Sequence, residues 1–382
     1  MVRSCDPVDL AARLVRCASV TPADEGALGL VCDALSAAGF DCQRADRGGI
    51  GNLFARLGPK DAARVLGFNG HTDVVPPGDT ADWRFDPFGG VLAEGRLWGR
   101  GACDMKSGVA AFVAAAVAFA PECPPDGAVI VTVTGDEEGA GVDGTAAILD
   151  WMAAQGERMD HCLVGEPTCP QAMGEMVKIG RRGSLNARIV AEGVQGHAAY
   201  PHRAVNPLPA LVALLGRLAR HQLDSGTDQF DPSTLALTTI DTGNDATNVI
   251  PARAVAGLNI RFNDRHSGAS LTRWLEEEAA RAEAESGVRF SVSVKVSGEA
   301  FVTEPGWFTD LVAGAVAAEC GVRPVLSTSG GTSDARFIRA HCPVVEFGLV
   351  GQSMHQVDEH AEIAHIRQLA AVYLRIMRDY FA

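Results

Sequence analysis

Five side chains of metal-ligand type each follow a short apolar run of the sequence. They are His71 in GFNGHTDVV, Asp104 in GRGACDMK, Glu138 in VTVTGDEEG, Glu166 in CLVGEPT and His355 in GLVGQSMH. Two imidazoles and three carboxylates match two zinc-like ions, each four-coordinate, that share one carboxylate and one water. Two such ions roughly 3.5–4 Å apart activate water for hydrolysis. The ligand set therefore predicts a metal-dependent hydrolase.

Two carboxylates beside these ligands are expected to serve the chemistry in other ways. Asp73 lies two residues after His71, so both side chains point the same way on an extended strand end. Asp73 can then accept the second imidazole N–H group and orient the ring. Glu137 and Glu138 are adjacent, and one should bind metal while the other acts as general base. The residues themselves do not determine which does which.

Asp104 has a short side chain that suits a carboxylate shared by two ions, and the glycines before it allow a close approach of the backbone. The alternative role is an N-cap of the helix predicted at 105–120, which does not exclude metal binding. Cys103 beside it is expected to pack in the interior. Glu166 ends a buried strand, where an unpaired carboxylate would be costly to desolvate, so a cation is expected next to it.

A second group of residues suits the capture of carboxylates. Arginine forms paired hydrogen bonds to a carboxylate, and glycine backbone N–H groups are further donors. The group comprises Lys178, Arg181 and Arg182 in KIGRRGS, Asn248 in TNVIP, Arg261 in NIRF, and Gly331 and Thr332 in SGGTSD. GHAAYPH adds Tyr200 and His197, and His197 is a candidate donor to an oxyanion because the metal count does not need it.

Composition limits the class of protein. With 382 residues and 47% hydrophobic content, the chain is long enough for two domains and a large core. A net charge of −14 without any basic run argues against a nucleic-acid partner. No apolar run is long enough for a membrane span, and Asp6 followed by Pro7 is typical of a helix start rather than a targeting signal. Ten scattered cysteines without a C-x-x-C pair are expected to be reduced, which favours the cytoplasm.

The order of apolar runs predicts an α/β catalytic domain interrupted by an inserted domain. Short β-rich runs such as VLGFNG and VIVTVTG flank the helical MKSGVAAFVAAAVAFA, a rhythm typical of a mainly parallel sheet covered by helices. The middle of the chain reads β-α-β-β-α-β and is a compact α+β unit. We therefore expect a first catalytic segment at 1–178, an inserted domain at 179–296 and a second catalytic segment at 297–382.

These motifs resemble the M20 metallopeptidase family over essentially the whole chain. GHTDVVPPGD, GRGACDMK, DEEG, LVGEPT and the His355 region occur in the family's order. The resemblance implies a zinc-peptidase-like fold and a homodimer formed through the inserted dimerisation or lid domain. GRRGSL, GVQGHAAYPHRAVNP and STSGGTSDARF favour the branch that hydrolyses N-succinyl-LL-2,6-diaminopimelate, in lysine and diaminopimelate synthesis. Acetylornithine deacetylases and carboxypeptidases of the family are the alternative, whereas a non-catalytic metal-binding protein is expected to lack the base or a ligand.

The resemblance also implies roles for individual residues. One zinc ion is expected on His71 and Glu166 and the other on Glu138 and His355, with Asp104 shared and cobalt as a possible substitute. Glu137 is then the general acid and base, and the Asp104–Met105 peptide bond is cis. The inserted domain's His197, Tyr200 and Asn248 are expected to reach the partner subunit's site. The substrate's carboxylates are expected to contact Lys178, Arg181, Arg182, Arg261, Gly331 and Thr332. The stretch QVDEHAEI after His355 matches the family only loosely.

Overall fold

The computed structural model describes residues 5–382. This part of the chain divides into two units. The first unit comprises the described residues up to Ile179 together with Thr303–Ser327 and Ser333–Ala382, and the second comprises Gly180–Val302 with Thr328–Thr332. Among residues 5–382 no helix has both the length and the apolar character needed to cross a membrane.

The elements of the described residues are numbered in chain order. The helices are α1 (Pro7–Arg16), α2 (Ala27–Ser36), α3 (Lys106–Phe119), α4 (Thr145–Gln155), α5 (Leu208–Arg220), α6 (Gly268–Ser286), α7 (Trp307–Cys320), α8 (Ala335–Ile338) and α9 (Ile363–Phe381). The strands are β1 (Asp41–Arg44), β2 (Asn52–Leu57), β3 (Arg64–His71), β4 (Val91–Ala93), β5 (Arg96–Trp98), β6 (Gly127–Thr134), β7 (His161–Val164), β8 (Met176–Lys178), β9 (Gly180–Arg181), β10 (Gly183–Glu192), β11 (Gly196–His197), β12 (Thr234–Asp241), β13 (Val249–Ile250), β14 (Arg253–Phe262), β15 (Arg289–Gly298), β16 (Phe301–Val302), β17 (Val325–Ser327), β18 (Val344–Glu346) and β19 (His360–Glu362).

The first unit is built around a sheet with the strand order β1-β2-β6-β3-β7-β18-β8-β17. Its centre is parallel, because β6 and β7 both run parallel to β3, and β18 runs parallel to β7. Antiparallel pairs lie toward the edges, where β2 pairs with β1 and β6 and β18 meets β8. The predicted α/β class with a mainly parallel central sheet is confirmed.

The central strands owe their position to their apolar sequence. Every residue of β6 is buried, and so is every residue of β3 after Arg64. Because side chains alternate between the two faces of a strand, complete burial means that both faces of the sheet are covered. Helix α3, rich in alanine and valine, packs between α1 and α9, and its Phe112 stacks on Phe68 of β3 with ring centroids 3.9 Å apart.

The second unit is built on a four-stranded antiparallel sheet in the order β12-β14-β10-β15. Helices α5 and α6 complete the predicted β-α-β-β-α-β order. Along β14 every second residue is buried, which is the period-two pattern of a strand with one covered face. Its buried residues share a core with Leu214 of α5 and Leu275 of α6.

The boundaries of the second unit differ from the predicted ones. It begins at Gly180, next to the predicted position, but the predicted boundary after residue 296 falls inside β15. The unit continues to Val302 because β16 pairs with β9 at its start. It also includes Thr328–Thr332, which the sequence places in the last segment. Strand pairing between distant parts of the chain therefore determines where the second unit ends.

Candidate metal centre and active site

Three of the five candidate ligands follow neighbouring parallel strands of the first unit. His71 is the last residue of β3, Glu138 follows β6, and Glu166 follows β7. Because β6 and β7 run parallel to β3, the carboxyl ends of the three strands meet at one edge of the sheet. This is the edge where open α/β sheets bind their ligands. The three side chains converge there, as the strand pattern predicts.

Asp104 and His355 reach the same place from turns. The N-cap position of α3 is Met105, so Asp104 does not cap that helix. The Asp104–Met105 peptide bond is cis, as the family resemblance implied. His355 lies in a turn with a φ of 61°, and its side chain is 46% exposed. The site is thus assembled from three strand ends and two turns.

The carboxylate of Asp104 lies between the two imidazole rings, with one oxygen facing each. Asp104 Oδ1 is 3.3 Å from His71 Nε2, and Asp104 Oδ2 is 3.4 Å from His355 Nε2. Glu166 Oε1 lies 3.5 Å from His71 Nε2, and Glu138 Oε1 lies 2.8 Å from His355 Nε2. The five candidate metal ligands therefore form two groups, and Asp104 belongs to both.

These distances fit metal coordination better than hydrogen bonding. Two ligand atoms about 2.0–2.1 Å from one tetrahedral zinc ion are about 3.3–3.4 Å apart, which matches three of the four distances. His71 Nε2 and Asp104 Oδ1 are buried and have no hydrogen-bond partner in the structure. A buried polar atom without a partner is costly, and a cation between these atoms would remove that cost. The residues present fit two divalent ions.

The local charges also favour cations. Burial alone would lower the pKa of His71, but the carboxylates of Asp104 and Glu166 raise it well above its usual value. The carboxylates of Asp104 and Glu138 raise the pKa of His355 to about 10. Two imidazoles with raised pKa values indicate a strongly negative potential at the centre of the group. Divalent cations are favoured there and would replace the protons on the imidazole nitrogens.

Glu137 lies at the same site but on the side of His71 and Glu166. The donor atoms of these three residues lie within 4.8 Å of one another. Burial raises the pKa of the Glu137 carboxyl well above its usual value, and the nearby Glu166 carboxylate raises it further. A raised carboxyl pKa is what a group that takes up and releases a proton near neutral pH requires. Glu138, in contrast, contacts His355 directly.

Asp73 is at the site, but its carboxylate does not accept the imidazole N–H group as expected. His71 Nδ1 lies 2.9 Å from the backbone carbonyl oxygen of Asp73 and 3.6 Å from its carboxylate. The carboxylate instead accepts the hydroxyl of Thr21 at 2.6 Å and the backbone N–H groups of Glu137 and Glu138 at 3.2 and 3.0 Å. The Asp73 carbonyl therefore orients the ring, and its side chain holds the Glu137–Glu138 turn.

Glu359 is a residue at this site that the sequence analysis missed. Its buried carboxylate accepts the backbone N–H groups of Cys103 and Asp104, at 2.9 and 3.0 Å, and pairs with Arg100. The sequence signal for Glu359 is its position shortly after the candidate ligand His355, in the stretch QVDEHAEI that matches the family only loosely. Cys103 is buried as expected, and its thiol donates to the backbone carbonyl of Val350.

Most of the predicted carboxylate-binding residues belong to the second unit. Arg182 Nε and one terminal nitrogen of Arg261 are buried without a hydrogen-bond partner. Burial, and then the like charge of Arg182, lower the pKa of Arg261. Arg181 donates to the backbone carbonyl of Gly331 at 3.2 Å, beside Thr332. Two neighbouring cations with unused donors form a group that suits an anion. Lys178, in contrast, is a buried residue of β8 in the first unit.

The three residues expected to reach a partner subunit lie close together in the second unit. His197 is in β11, which pairs with β13, and the ring of Tyr200 lies 5.6 Å from its imidazole. The backbone carbonyl of Asn248 accepts the N–H group of Ala198 at 2.8 Å. His197, Tyr200 and Asn248 are all exposed. They are therefore available to a ligand or another chain.

Comparison with known proteins identifies the family. The family model of peptidase family M20/M25/M40 matches residues 67–379. This chain belongs to the M20 peptidase family. The M20 match includes all five candidate metal ligands. A relative from Cereibacter sphaeroides, described as succinyl-diaminopimelate desuccinylase, is 68% identical and covers 99% of each chain. A relative of the same description from Ruegeria pomeroyi is 67% identical with the same coverage.

Two solved structures share the fold. The aminopeptidase PepT from Bacillus cereus superposes with a TM-score of 0.82 at 20% identity, over 99% of this chain and 98% of that one. A Bacillus subtilis protein described as a dinuclear metal-binding peptidase of the M20 family gives a TM-score of 0.73 at 14% identity, over 97% of each chain. At these identities the likeness concerns the fold. The candidate dinuclear centre of this chain rests on its own ligand geometry.

Proposed function

We propose that this chain hydrolyses N-succinyl-LL-2,6-diaminopimelate to succinate and LL-2,6-diaminopimelate, a step of lysine and diaminopimelate synthesis. The observation that carries the hydrolytic chemistry is the position of Asp104, with one carboxylate oxygen facing each of two imidazoles. The choice of substrate is supported by relatives 67–68% identical over the full length, which are described as succinyl-diaminopimelate desuccinylases.

Two groups of residues would hold the metal ions. One ion would be bound by His71 and Glu166 and the other by Glu138 and His355, with Asp104 shared. Imidazole and carboxylate ligands suit zinc, and cobalt is a plausible substitute. When bound, the two ions make water a stronger acid and polarise the amide carbonyl.

Glu137 supplies the proton transfers of the proposed reaction. Its carboxylate takes a proton from the attacking water as the C–O bond forms, and gives it to the leaving nitrogen as the amide C–N bond breaks. Its raised pKa and its position beside His71 and Glu166 support this role. His197 donates a hydrogen bond to the oxyanion that develops on the carbonyl oxygen. Asp73 keeps Glu137 in position through the backbone of the Glu137–Glu138 turn.

The cationic group of the second unit accounts for the choice of substrate. N-Succinyl-LL-2,6-diaminopimelate carries three carboxylates, and the chain as a whole is acidic with a net charge of −14. Local cations must therefore attract the substrate against the overall field. The residues that would contact its carboxylates and polar groups are Lys178, Arg181, Arg182, Arg261, Gly331 and Thr332, together with Tyr200 and Asn248.

A homodimer formed through the second unit is part of the proposal, and His197, Tyr200 and Asn248 would then complete the partner's site. β12 is an edge strand of its sheet, and nearly all its residues are exposed, with Ile240 57% exposed. An exposed edge strand with apolar side chains is a template for pairing with another chain. The proposed compartment is the cytoplasm, since all ten cysteines are free thiols in the structure.

The test is hydrolysis of N-succinyl-LL-2,6-diaminopimelate beside N-acetylornithine, by zinc-loaded and by chelator-stripped protein. We expect zinc-dependent release of succinate and little cleavage of N-acetylornithine. The Glu137→Ala variant, purified identically, controls for a contaminating hydrolase. Cleavage of N-acetylornithine alone would favour a deacetylase of the same family and overturn the proposed role of the arginines.

A further inference from the structure

A buried ion pair connects the two turns that carry Asp104 and His355. Glu359 has no exposed surface, Arg100 is 3% exposed, and one terminal nitrogen of Arg100 lies 2.7 Å from Glu359 Oε2. Neither residue belongs to the candidate ligand set. Burying two charges is costly unless both make further hydrogen bonds, so the remaining contacts indicate what the pair does.

On one side the pair holds the backbone of Asp104. Glu359 Oε1 accepts the N–H group of Asp104 at 3.0 Å and that of Cys103 at 2.9 Å. The direction of the Asp104 side chain depends on this backbone, and each of its oxygens must face a different imidazole. Glu359 thus uses one oxygen for Arg100 and the other for the turn that carries the shared ligand.

On the other side the pair holds the turn of His355. The same terminal nitrogen of Arg100 donates to the backbone carbonyl of Gln356, the residue after His355, at 3.2 Å. The Arg100 guanidinium also lies 5.1 Å from the ring centroid of Trp83. His355 has a φ of 61°, which residues with a side chain rarely adopt, so its turn depends on contacts of this kind.

We propose that the Arg100–Glu359 pair positions Asp104 and His355, two of the ligands of the metal ion that Glu138 also binds. Its loss releases this ion before the ion of His71 and Glu166. The difference between the ions arises because both turns held by the pair carry ligands of this ion, whereas only the turn of Asp104 carries a ligand of the other ion. His71, in contrast, ends strand β3 of the central sheet, and Glu166 lies two residues after strand β7. The inference rests on the proposed two-metal function.

The test is a zinc titration of chelator-stripped protein, with bound zinc counted by elemental analysis after each addition. For Glu359→Ala we expect one ion to bind as in the unchanged protein and the other roughly 10–100-fold more weakly, the usual effect of losing a partner behind a ligand. Glu359→Gln keeps an oxygen that accepts the backbone N–H groups, and it should restore part of the affinity. Hydrolysis by Glu359→Ala should recover as the zinc concentration is raised.

Arg56 and Glu157 are a matched control in the first unit. They form an ion pair of 2.6 Å, and their side chains are only 8% and 9% exposed. Glu157→Ala therefore also leaves a buried arginine without its partner. It should lower the unfolding temperature and keep both zinc affinities. A loss of zinc as large as that of Glu359→Ala would mean general destabilisation and would overturn the inference.

The outcomes separate this inference from the proposed function. If the unchanged protein binds fewer than two zinc ions, the two-metal function fails. If it binds two and both Glu359 variants bind the ion of Glu138 and His355 with unchanged affinity, only the inference is overturned. If Glu359→Ala does not fold, Glu359→Gln tests the inference alone. This variant must then bind the ion of Glu138 and His355 more weakly than the unchanged protein does.

Discussion

The carboxylate of Asp73 accepts the backbone N–H group of Glu138 at 3.0 Å. The same carboxylate accepts the N–H group of Glu137 and the hydroxyl of Thr21. One side chain thus fixes the turn that presents both the proposed base and a proposed metal ligand, while its backbone carbonyl contacts His71. Asp73 acts on the reaction through the placement of its neighbours.

Asp73→Asn should lower the rate of hydrolysis by roughly 10–100-fold, the usual effect of losing a partner behind a ligand. The amide group of asparagine offers one acceptor oxygen, so the two backbone N–H groups cannot both keep their present partner. Succinate release by the zinc-loaded variant is the measurement. Asp79→Asn is the control, because Asp79 accepts the N–H group of Ala81 on the exposed 3-10 turn at Thr80–Asp82. Equal rates for both variants would contradict the role of Asp73.

Glu137→Ala should lose roughly 10²–10⁴-fold in rate, the usual contribution of a positioned acid or base. It should keep its zinc, because Glu137 is not one of the proposed ligands. Glu138→Ala is the matched comparison and should lose zinc as well as activity. Elemental analysis beside succinate release distinguishes the two. Near-full activity of Glu137→Ala would refute the proposed proton transfer.

If His197 serves the partner's site, two inactive variants should complement each other. A homodimer of His197→Ala or of Glu137→Ala lacks one component in both sites, whereas a mixed dimer has one complete site. An equal mixture under subunit exchange should recover about a quarter of the unchanged activity, since half of the dimers are mixed. The double variant mixed with Glu137→Ala should recover nothing. Exchange without recovery by the first mixture would count against the shared site.

The second unit should lose stability in acid through Asp224. Although burial opposes it, hydrogen bonds from Ser233, Gly226 and Asn263 lower the pKa of Asp224 to about 2. The unfolded-state value is about 3.9, so this carboxylate stabilises the fold above about pH 4 and loses that effect as the pH falls toward 2.

Asp224→Asn should therefore reduce the urea midpoint at pH 7, and only about half as much at pH 3. Asp228→Asn is the control, because Asp228 is an exposed residue of the same loop. This variant should have the same urea midpoint as the unchanged protein under each of the two conditions. A constant difference between Asp224→Asn and the unchanged protein would contradict the assigned pKa direction.

The sequence predicts the residues that follow strong periodic elements. β3, β6 and β7 are short apolar runs, so their parallel pairing and the convergence of His71, Glu138 and Glu166 can be expected. Asp104 and His355 lie on turns, so strand periodicity does not place them at this edge of the sheet. Both were candidate ligands from their sequence context, and the family resemblance supported that assignment. The order of Glu137 and Glu138 came from the resemblance.

Other features depend on packing between distant parts of the chain. Nothing in H-x-D tells which oxygen of Asp73 contacts His71, because the carboxylate is taken by donors from another loop. In the sequence, Glu359 is one acidic residue of a polar stretch. Its role depends on the turn of Asp104, which packs against it only in the folded chain. The second unit extends beyond the predicted boundary at residue 296 because β16 pairs with β9.

The most direct test of the proposed two-metal hydrolysis is succinate release from N-succinyl-LL-2,6-diaminopimelate as zinc is added back to chelator-stripped protein. We predict that the stripped protein is inactive, that two zinc ions bind per chain, and that the rate stops rising once both are bound. His355→Ala should bind fewer ions under the same conditions. Full hydrolysis without metal, or a zinc-loaded protein with two ions that leaves this substrate intact, would contradict the central claim.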